Sequence, residues 1–157
     1  MLKAGDKAPE FVLTDADGKE TSLTDLLASG PLILYFYPAD FTPGCTKEAC
    51  SIRDLHDDIL GVGLTVAGVS PQDTESHVRF RDEYQLPFTL LSDPDKTVIR
   101  MYDVDGPFGV GVRRATYLIS RERIIQDVVL ADVLIGRHKE FIEKAVALRA
   151  TAHRKKN

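Results

Sequence analysis

The chain has 157 residues, of which 43% are hydrophobic and 28% are charged, and its formal net charge is −4. This length suits one compact domain with a substantial core, and the negative charge argues against a broad surface for nucleic acid. No run approaches the roughly 18 apolar residues of a membrane helix, and the charged opening "MLKAGDKAPEF" lacks the apolar stretch of a secretory signal. We therefore expect a cytoplasmic protein with no membrane or nucleic-acid partner.

The first third of the chain predicts short extended elements and one brief helix. In "EFVLTDADGKETSL" the turn residues Asp17 and Gly18 separate two extended segments, which indicates a β-hairpin. "SLTDLLA" predicts a helix capped by Ser22 or Thr24. The continuous apolar run "PLILYFY" is typical of a strand buried on both faces, and we expect it at the centre of a sheet.

Helices and strands alternate through the rest of the chain. "TKEACSIRDLHDDIL" predicts an amphipathic helix that ends at Gly61, with apolar residues at helical spacing: Ala49, Ile52, Leu55, Ile59 and Leu60. "LTVAGVS" and "FTLLSD" predict strands, "DTESHVRFRDEYQL" a helix capped near Asp73 or Thr74, and "DKTVIRMYDV" a short helix. "RRATYLIS" and "RIIQDVVL" predict antiparallel strands, and "GRHKEFIEKAVALRA" predicts a closing helix.

This alternation predicts an α/β fold with a mixed central sheet flanked by helices and opened by an N-terminal β-hairpin. We assign residues 1–150 to this domain and residues 151–157 to a basic C-terminal tail without assigned function. Open sheets of this kind place reactive groups beyond the carboxyl ends of their strands.

Both cysteines of the chain, Cys45 and Cys50, follow the apolar strand closely. Cytoplasmic thiols are kept mostly reduced, so a close pair suggests redox chemistry or metal binding before a structural disulfide. Cys45 should lie in the first helical turn, where free N–H groups and peptide dipoles favour a thiolate. Its polar neighbours predict an accessible thiol, whereas Cys50 taken alone also fits a small buried apolar residue.

A metal site is the second interpretation of the pair. Structural zinc generally uses four ligands and short C-x2-C spacings, whereas this chain offers two thiols at C-x4-C and at most His56 beside them. We expect His56 on the wet face of its helix, and also expect His77, His138 and His153 at the surface. The glycines of "GPFGVG" and "GVGL" lack the context of a nucleotide-binding turn, so we predict neither a metal nor a cofactor.

The segment "YPADFTPGCTKEAC" resembles the active-site segment of peroxiredoxins, specifically the bacterioferritin-comigratory-protein or Q-type subfamily. Pro38, Thr42 and Cys45 match the family pattern P-x-x-x-T-x-x-C, and Cys50 stands where the subfamily places a second cysteine. The likeness extends over "GDKAPEFVLTDADGK", "GVSPQDTESHVRFRDEYQLPFTLLSD" and "RRATYLI". It implies a thioredoxin-like fold, which agrees with the alternation of strands and helices.

The resemblance also implies roles for the residues of this segment. Cys45 would be the peroxidatic nucleophile, whose thiolate attacks a hydroperoxide and becomes a sulfenic acid. Thr42 would donate its hydroxyl to the peroxide while accepting elsewhere, and Pro38 would shield the thiolate. The backbone N–H groups of Gly44 and Cys45 would hold the second oxygen as charge moves onto it.

An arginine completes the implied site. Arg114 resembles the family's arginine, two residues before "TY", and its planar fork can contact both sulfur and peroxide oxygen. Glu48, one helical turn after Cys45, would orient that fork, although a glutamate there also suits the helix dipole alone. Arg113 competes for the role, but strand neighbours point to opposite faces, and the match to "R-x-T-Y" selects Arg114 and leaves Arg113 at the surface.

Cys50 would then resolve the sulfenic acid as an intramolecular disulfide, which thioredoxin or a similar dithiol donor would reduce. On one intact helix the Cα atoms of Cys45 and Cys50 would be roughly 8.6 Å apart, whereas disulfides rarely exceed about 7 Å. The start of the helix must therefore unwind before the bond forms. The subfamily resemblance favours a monomer or a weak homodimer.

Two other classes of function stay open at this point. A thioredoxin-like disulfide reductase or redox sensor would act without consuming peroxide, but its usual C-x-x-C pair is absent from the sequence. A non-catalytic binding module on the same fold has no feature in its favour. The glycine-rich residues 105–113 lead to Arg114 and would border either the substrate pocket or a dimer contact.

Overall fold

The computed structural model describes residues 2–156, and the side chains of residues 2–152. Within that range there are seven strands: β1 (Val12–Asp15), β2 (Glu20–Ser22), β3 (Leu32–Phe36), β4 (Thr65–Ser70), β5 (Thr89–Ser92), β6 (Ala115–Ile119) and β7 (Ile125–Leu130). The helices are α1 (Leu23–Leu26), α2 (Pro43–Gly61), α3 (Thr74–Tyr84), α4 (Thr97–Met101) and α5 (Gly136–Lys156), with a 3₁₀ turn at Pro107–Gly109. No helix in the described residues is both long and apolar enough to span a membrane.

All seven strands form one mixed sheet in the order β2-β1-β5-β4-β3-β6-β7. The strands β3, β4 and β5 run parallel, and β6 runs antiparallel to β3. The predicted hairpin β1–β2 and the predicted antiparallel pair β6–β7 lie at the two edges. This confirms the α/β fold class with its mixed central sheet and N-terminal hairpin.

The strand β3 is central, and each of its five residues is buried. Because successive side chains of a strand point to opposite faces, Leu32, Leu34 and Phe36 join one core while Ile33 and Tyr35 join the other. The second core receives Cys45, Ala49, Ile52 and Ile59 from α2, together with Ile142 and Ala145 from α5. The α2 segment that carries Cys45 is thus fixed by apolar packing on this face of the sheet.

The helix α2 ends at Gly61, as the sequence predicts, but it begins at Pro43, three residues before the predicted segment. The fixed φ of Pro43 suits a first helical position. Its predicted apolar face is right for Ala49, Ile52 and Ile59, which are buried, but wrong for Leu60, which is half exposed. Leu60 follows Ile59 directly, and adjacent residues lie about 100° apart on a helix, so both cannot face the sheet.

The closing helix α5 is longer than its sequence pattern predicts, because it continues to Lys156. It therefore runs across the boundary that we placed at residue 150. Whether residues 151–157 act as a separate basic tail stays a prediction, and the side chain of His153 lies outside the described residues.

The glycine-rich segment before β6 is held at its base. The ammonium of Lys96 donates to the carboxylate of Asp105 at 2.9 Å and to the carbonyl oxygens of Gly109 and Gly111 at 3.0 and 2.8 Å. At its tip Phe108 is fully exposed and has a positive φ of 56°. That residues 105–113 border the substrate pocket or a dimer contact stays a prediction.

Candidate active site

Cys45 lies in the first turn of α2, as its position after the proline-containing loop predicts. Thr42 is the N-cap residue, and its side chain makes no capping hydrogen bond. The first N–H groups of an α-helix have no acceptor within the helix, so those of Gly44 and Cys45 are available to a ligand with negative charge. The backbone here is therefore built to receive an anion.

The thiol of Cys45 is less accessible than its sequence neighbours predict. Cys45 is 1% exposed and belongs to the core between α2 and the sheet, so the expectation of an open thiol is wrong for this conformation. The reason is that the pattern around it is only locally polar, whereas Cys45 belongs to the same core as Tyr35 of β3 and Tyr37 directly after β3. The preceding residues 41–43 are exposed, so the site meets the protein surface at this loop.

Arg114 reaches the sulfur of Cys45 from the neighbouring strand. Its Nη2 lies 3.2 Å from Sγ, and its Nη1 donates to Oε1 of Glu48 at 2.8 Å. The sheet register explains this proximity, because Phe36 at the end of β3 pairs with Ala115 at the start of β6. The residue before β6 and the helix after β3 therefore meet at one edge of the sheet.

Arg113 turns away from the site, as the strand alternation predicts. Its Nε donates to Oδ2 of Asp132 at 2.8 Å, and its side chain is 39% exposed. The other oxygen of Asp132 accepts from the backbone N–H of Arg114 at 2.9 Å. Asp132 therefore holds the backbone directly before β6, where the side chains of Arg113 and Arg114 point in opposite directions.

Close packing leaves little room around the guanidinium of Arg114. A methyl group on Gly44 would lie 3.2 Å from Nη2 of Arg114 and 3.5 Å from Cδ1 of Ile135.

The guanidinium of Arg114 stays charged although it is largely buried. Burial opposes the charge of Arg114, but the neighbouring Glu48 and Cys45 outweigh this effect, so the pKa of Arg114 is raised. The cation is therefore held permanently beside the sulfur.

Glu48 is buried behind Arg114 and has an unusual environment for a carboxyl group. Burial raises the pKa of Glu48 to about 7, even though the charge and hydrogen bond of Arg114 act to lower it. Its second oxygen, Oε2, lies 3.5 Å from Nδ1 of His138. The carboxyl therefore changes its charge near neutral pH, and it shares Arg114 as a partner with the sulfur of Cys45.

His138 is a residue of this site that sequence reasoning missed. We expected it at the surface, but it is 1% exposed, and its Nδ1 lies 2.8 Å from Oγ1 of Thr116. A signal was present in the sequence, because His138, Ile142 and Ala145 recur at helical spacing and form the buried face of α5. Thr116 gives no comparable signal, since a threonine is common in any strand.

The loop before α2 holds the other two predicted residues, Pro38 and Thr42. Pro38 is partly buried directly after Tyr37, and Thr42 is exposed. The hydroxyl of Thr42 donates to the carbonyl oxygen of Ala39 at 3.1 Å, so its proton is directed within the loop rather than toward Cys45. To donate to a peroxide, as the resemblance implies, this hydroxyl has to rotate.

A buried polar cluster anchors the same loop, and the sequence did not predict it. Asp40 accepts from the hydroxyls of Tyr37 at 2.6 Å and Ser76 at 2.8 Å, and its Oδ2 lies 2.8 Å from Nδ1 of His77. The Nε2 of His77 lies 3.1 Å from the carbonyl oxygen of Leu91. His77 is fully buried, so our surface expectation for it is wrong, because its partners come from distant parts of the chain.

Cys50 lies about 1.4 helical turns after Cys45 and is partly buried. Both thiols are free, and α2 is continuous from Pro43 to Gly61. The cysteines are thus held in the helical arrangement whose Cα separation, about 8.6 Å, is too long for a disulfide. Among the residues that the structure describes, no group of three or more His, Cys, Asp or Glu side chains could hold a metal ion.

Comparison with known proteins assigns the family. Residues 4–128 match the AhpC/TSA family. A Coxiella burnetii protein named as a peroxiredoxin bcp is 44% identical over 133 residues, which cover 81% of this chain and 87% of that protein. The chain therefore belongs to the AhpC/TSA family, among the peroxiredoxins of the bcp and Q type. Peroxiredoxin Q proteins of plant chloroplasts are also similar, but the match covers 58% of their length.

Solved structures show the same fold. The peroxidoxin BcpB of Mycobacterium tuberculosis matches with a TM-score of 0.87 and 34% identity over 96% of this chain and 98% of that one. The bacterioferritin comigratory protein of Xanthomonas campestris, studied for alkyl peroxide reduction, matches with a TM-score of 0.80 and 29% identity over 89% and 92% of the two chains. The predicted thioredoxin-like peroxiredoxin fold is confirmed.

Proposed function

We propose that the chain is a thiol-dependent peroxidase in which Cys45 is the peroxidatic nucleophile. The observation that carries the proposal is the position of Cys45 in the first turn of α2, with Nη2 of Arg114 at 3.2 Å from its sulfur. Both features favour negative charge on sulfur, and the thiolate is the form of cysteine that attacks. The thiolate displaces water or an alcohol from a hydroperoxide and becomes a sulfenic acid.

The surrounding groups would stabilise this displacement. Arg114 binds the sulfur and can also reach the attacked oxygen, because its fork has donors on both terminal nitrogens. Glu48 orients the fork through its contact at 2.8 Å. The N–H groups of Gly44 and Cys45 hold the departing oxygen. Donors fixed before the reaction need no rearrangement during it.

The two loop residues act at the mouth of the site. Thr42 at the N-cap would donate its hydroxyl to the peroxide after rotating away from Ala39. Pro38 closes the loop beside the thiolate and keeps water from it. Thr42 is one of the exposed residues 41–43, which supports an approach of the peroxide from the loop side.

Cys50 resolves the sulfenic acid as a disulfide with Cys45. Because α2 holds the two residues too far apart for a bond, the first turns of α2 have to unwind during each cycle. Thioredoxin or a similar dithiol protein then reduces the disulfide. We further propose a cytoplasmic location, and a monomer or weak homodimer as the functional form.

A peroxide-consumption assay with a dithiol reductant tests the proposal on three proteins: wild type, Cys45→Ser and Cys50→Ser. We expect no peroxide consumption without Cys45, and partial or donor-dependent consumption without Cys50. Unchanged turnover in Cys45→Ser would refute the proposal. Disulfide reduction without peroxide consumption would instead indicate a thioredoxin-like reductase.

A further inference from the structure

His138 is buried next to the candidate site, and the contacts of its two ring nitrogens define its protonation. Its Nε2 lies 2.8 Å from the carbonyl oxygen of Ala131, and a carbonyl oxygen can only accept, so Nε2 carries the proton. Its Nδ1 lies 2.8 Å from Oγ1 of Thr116 and 3.5 Å from Oε2 of Glu48. When the ring is neutral, Nδ1 therefore presents its lone pair to the hydroxyl and to the carboxyl group.

Glu48 has one oxygen occupied and one free to carry a proton. Its Oε1 accepts from Arg114, whereas Oε2 is buried without a hydrogen-bond partner among the described residues. Burial raises the pKa of Glu48 to about 7. Burial also lowers the pKa of His138, assisted by Arg114 and opposed by Ala131 and Asp132. The carboxyl is therefore the group of this pair that takes up a proton, on the oxygen that faces Nδ1.

The charged and titratable groups around Glu48 come from four elements. Cys45 lies on the same helix, Tyr35 on β3, Arg114 directly before β6 and His138 on α5. Burial raises the pKa of Tyr35 well above its ordinary value, so its hydroxyl stays neutral. Arg114 is always charged. The thiolate of Cys45 and the carboxylate of Glu48 thus compete for one buried cation.

We propose that Glu48 and His138 form a proton-sharing pair, with His138 as its positioning residue, which keeps the charge beside Arg114 constant while Cys45 is oxidised. The inference rests on the proposed role of Cys45 as the nucleophile. When the thiolate attacks a hydroperoxide ROOH, an S–O bond forms, the O–O bond breaks, and sulfur loses two electrons. The products are the sulfenic acid and RO⁻, which needs one proton to become ROH. Glu48 gives up one proton at this step.

The overall step is balanced in atoms and charge. Thiolate, ROOH and the protonated carboxyl become sulfenic acid, ROH and the carboxylate. One negative charge moves from the sulfur of Cys45 to Oε2 of Glu48, and both atoms belong to groups that contact Arg114. The cation never lacks a partner, which avoids the cost of an unpaired buried charge.

The number of protons taken from solution tests this pair. The full-length Cys50→Ser variant stops at the sulfenic acid, so stopped-flow mixing with hydrogen peroxide in weak buffer with an indicator dye records one turnover. The ultraviolet absorbance of the thiolate in the same trace counts the sulfur atoms oxidised. At and just below pH 7 we expect clearly less than one proton taken up per thiolate lost. In Cys50→Ser with Glu48→Gln we expect one.

A pair of matched histidine variants tests the positioning role of His138. In Cys50→Ser with His138→Gln the amide can donate to Oε2, which favours the ionised carboxyl. The pH at which proton uptake rises to one should move down by about half to one unit. The same substitution at His56 is the control, because His56 lies on the same helix as Glu48 but packs against Phe88. It should leave the curve in place.

The outcomes separate this inference from the proposed function. If peroxide leaves the thiolate absorbance of Cys50→Ser unchanged, both are refuted. If the absorbance is lost normally but each variant takes up one full proton at every pH, the proton-sharing pair is refuted and the peroxidase stands. If His138→Gln and His56→Gln give the same curve, His138 has no positioning role.

Discussion

The fork of Arg114 provides the sharpest test of the site, because a lysine can keep its charge but not its geometry. The guanidinium joins Glu48 and Cys45 through two different nitrogens, at 2.8 and 3.2 Å. An ammonium at this position can keep one of these contacts, and a hydrogen bond to a charged group contributes about 1.5–3 kcal/mol. Loss of the contact to sulfur in the transition state should slow Cys45 oxidation by roughly 10- to 150-fold.

The neighbouring arginine supplies a matched control for this prediction. Arg113→Lys changes the same residue type one position away, in a pair with Asp132 that is about 40% exposed on both sides. Such pairs contribute about 0–1 kcal/mol, and this one does not touch Cys45. Stopped-flow single turnovers give the second-order rate constant of each variant, and urea unfolding confirms that both are folded. Equal rate losses in the two variants, or an unimpaired Arg114→Lys, would contradict the reasoning.

Three further predictions concern pH, stability and the redox cycle. Burial raises the pKa of Glu48 from 4.5 to about 7, so between these pH values the native state keeps a proton that the unfolded state releases. The free energy of unfolding of wild type relative to Glu48→Gln should therefore fall by up to about 3 kcal/mol as pH rises from 4.5 to 7. Urea titrations measure this difference, and a constant difference would contradict the prediction. Asp40→Asn should lower the free energy of unfolding by about 1–3 kcal/mol, because Asp40 accepts from the buried hydroxyls of Tyr37 and Ser76 and contacts Nδ1 of His77. An unchanged free energy of unfolding in the same titrations would contradict this. Oxidation that joins Cys45 to Cys50 should remove hydrogen-exchange protection from the first two turns of α2 while its later turns keep theirs, and full protection in the oxidised protein would contradict the unwinding.

Local chemistry accounts for the elements that the sequence predicts well. The place of Cys45 in the first turn of α2 follows from the proline-containing loop before it, and the end of the helix follows from Gly61. The central place of β3 follows from a run of five apolar residues with no polar face. In each case the signal lies within a few residues of the feature, so no knowledge of distant contacts is needed.

The resemblance and the strand alternation together also gave the correct orientation of the two adjacent arginines. Arg114 points to the sulfur and Arg113 to Asp132. Alternation shows that their side chains diverge, but the pairing of β6 with β3 decides that one of them meets the start of α2. The chemical roles of these residues stay predictions for the experiments above.

Tertiary packing alone decided the burial of the Cys45 thiol and of His77, and it supplied the polar partners of His138. The sequence fixes residue types and local periodicity, and with them the strands, the helices and the segment that carries Cys45. Tertiary packing brings Asp40 into contact with His77, 37 residues away in the chain. It also places Glu48 of α2 within 3.5 Å of His138 of α5. A buried polar group is stable only when its partners are in place, and those partners are chosen by the register of the sheet rather than by neighbours in the chain.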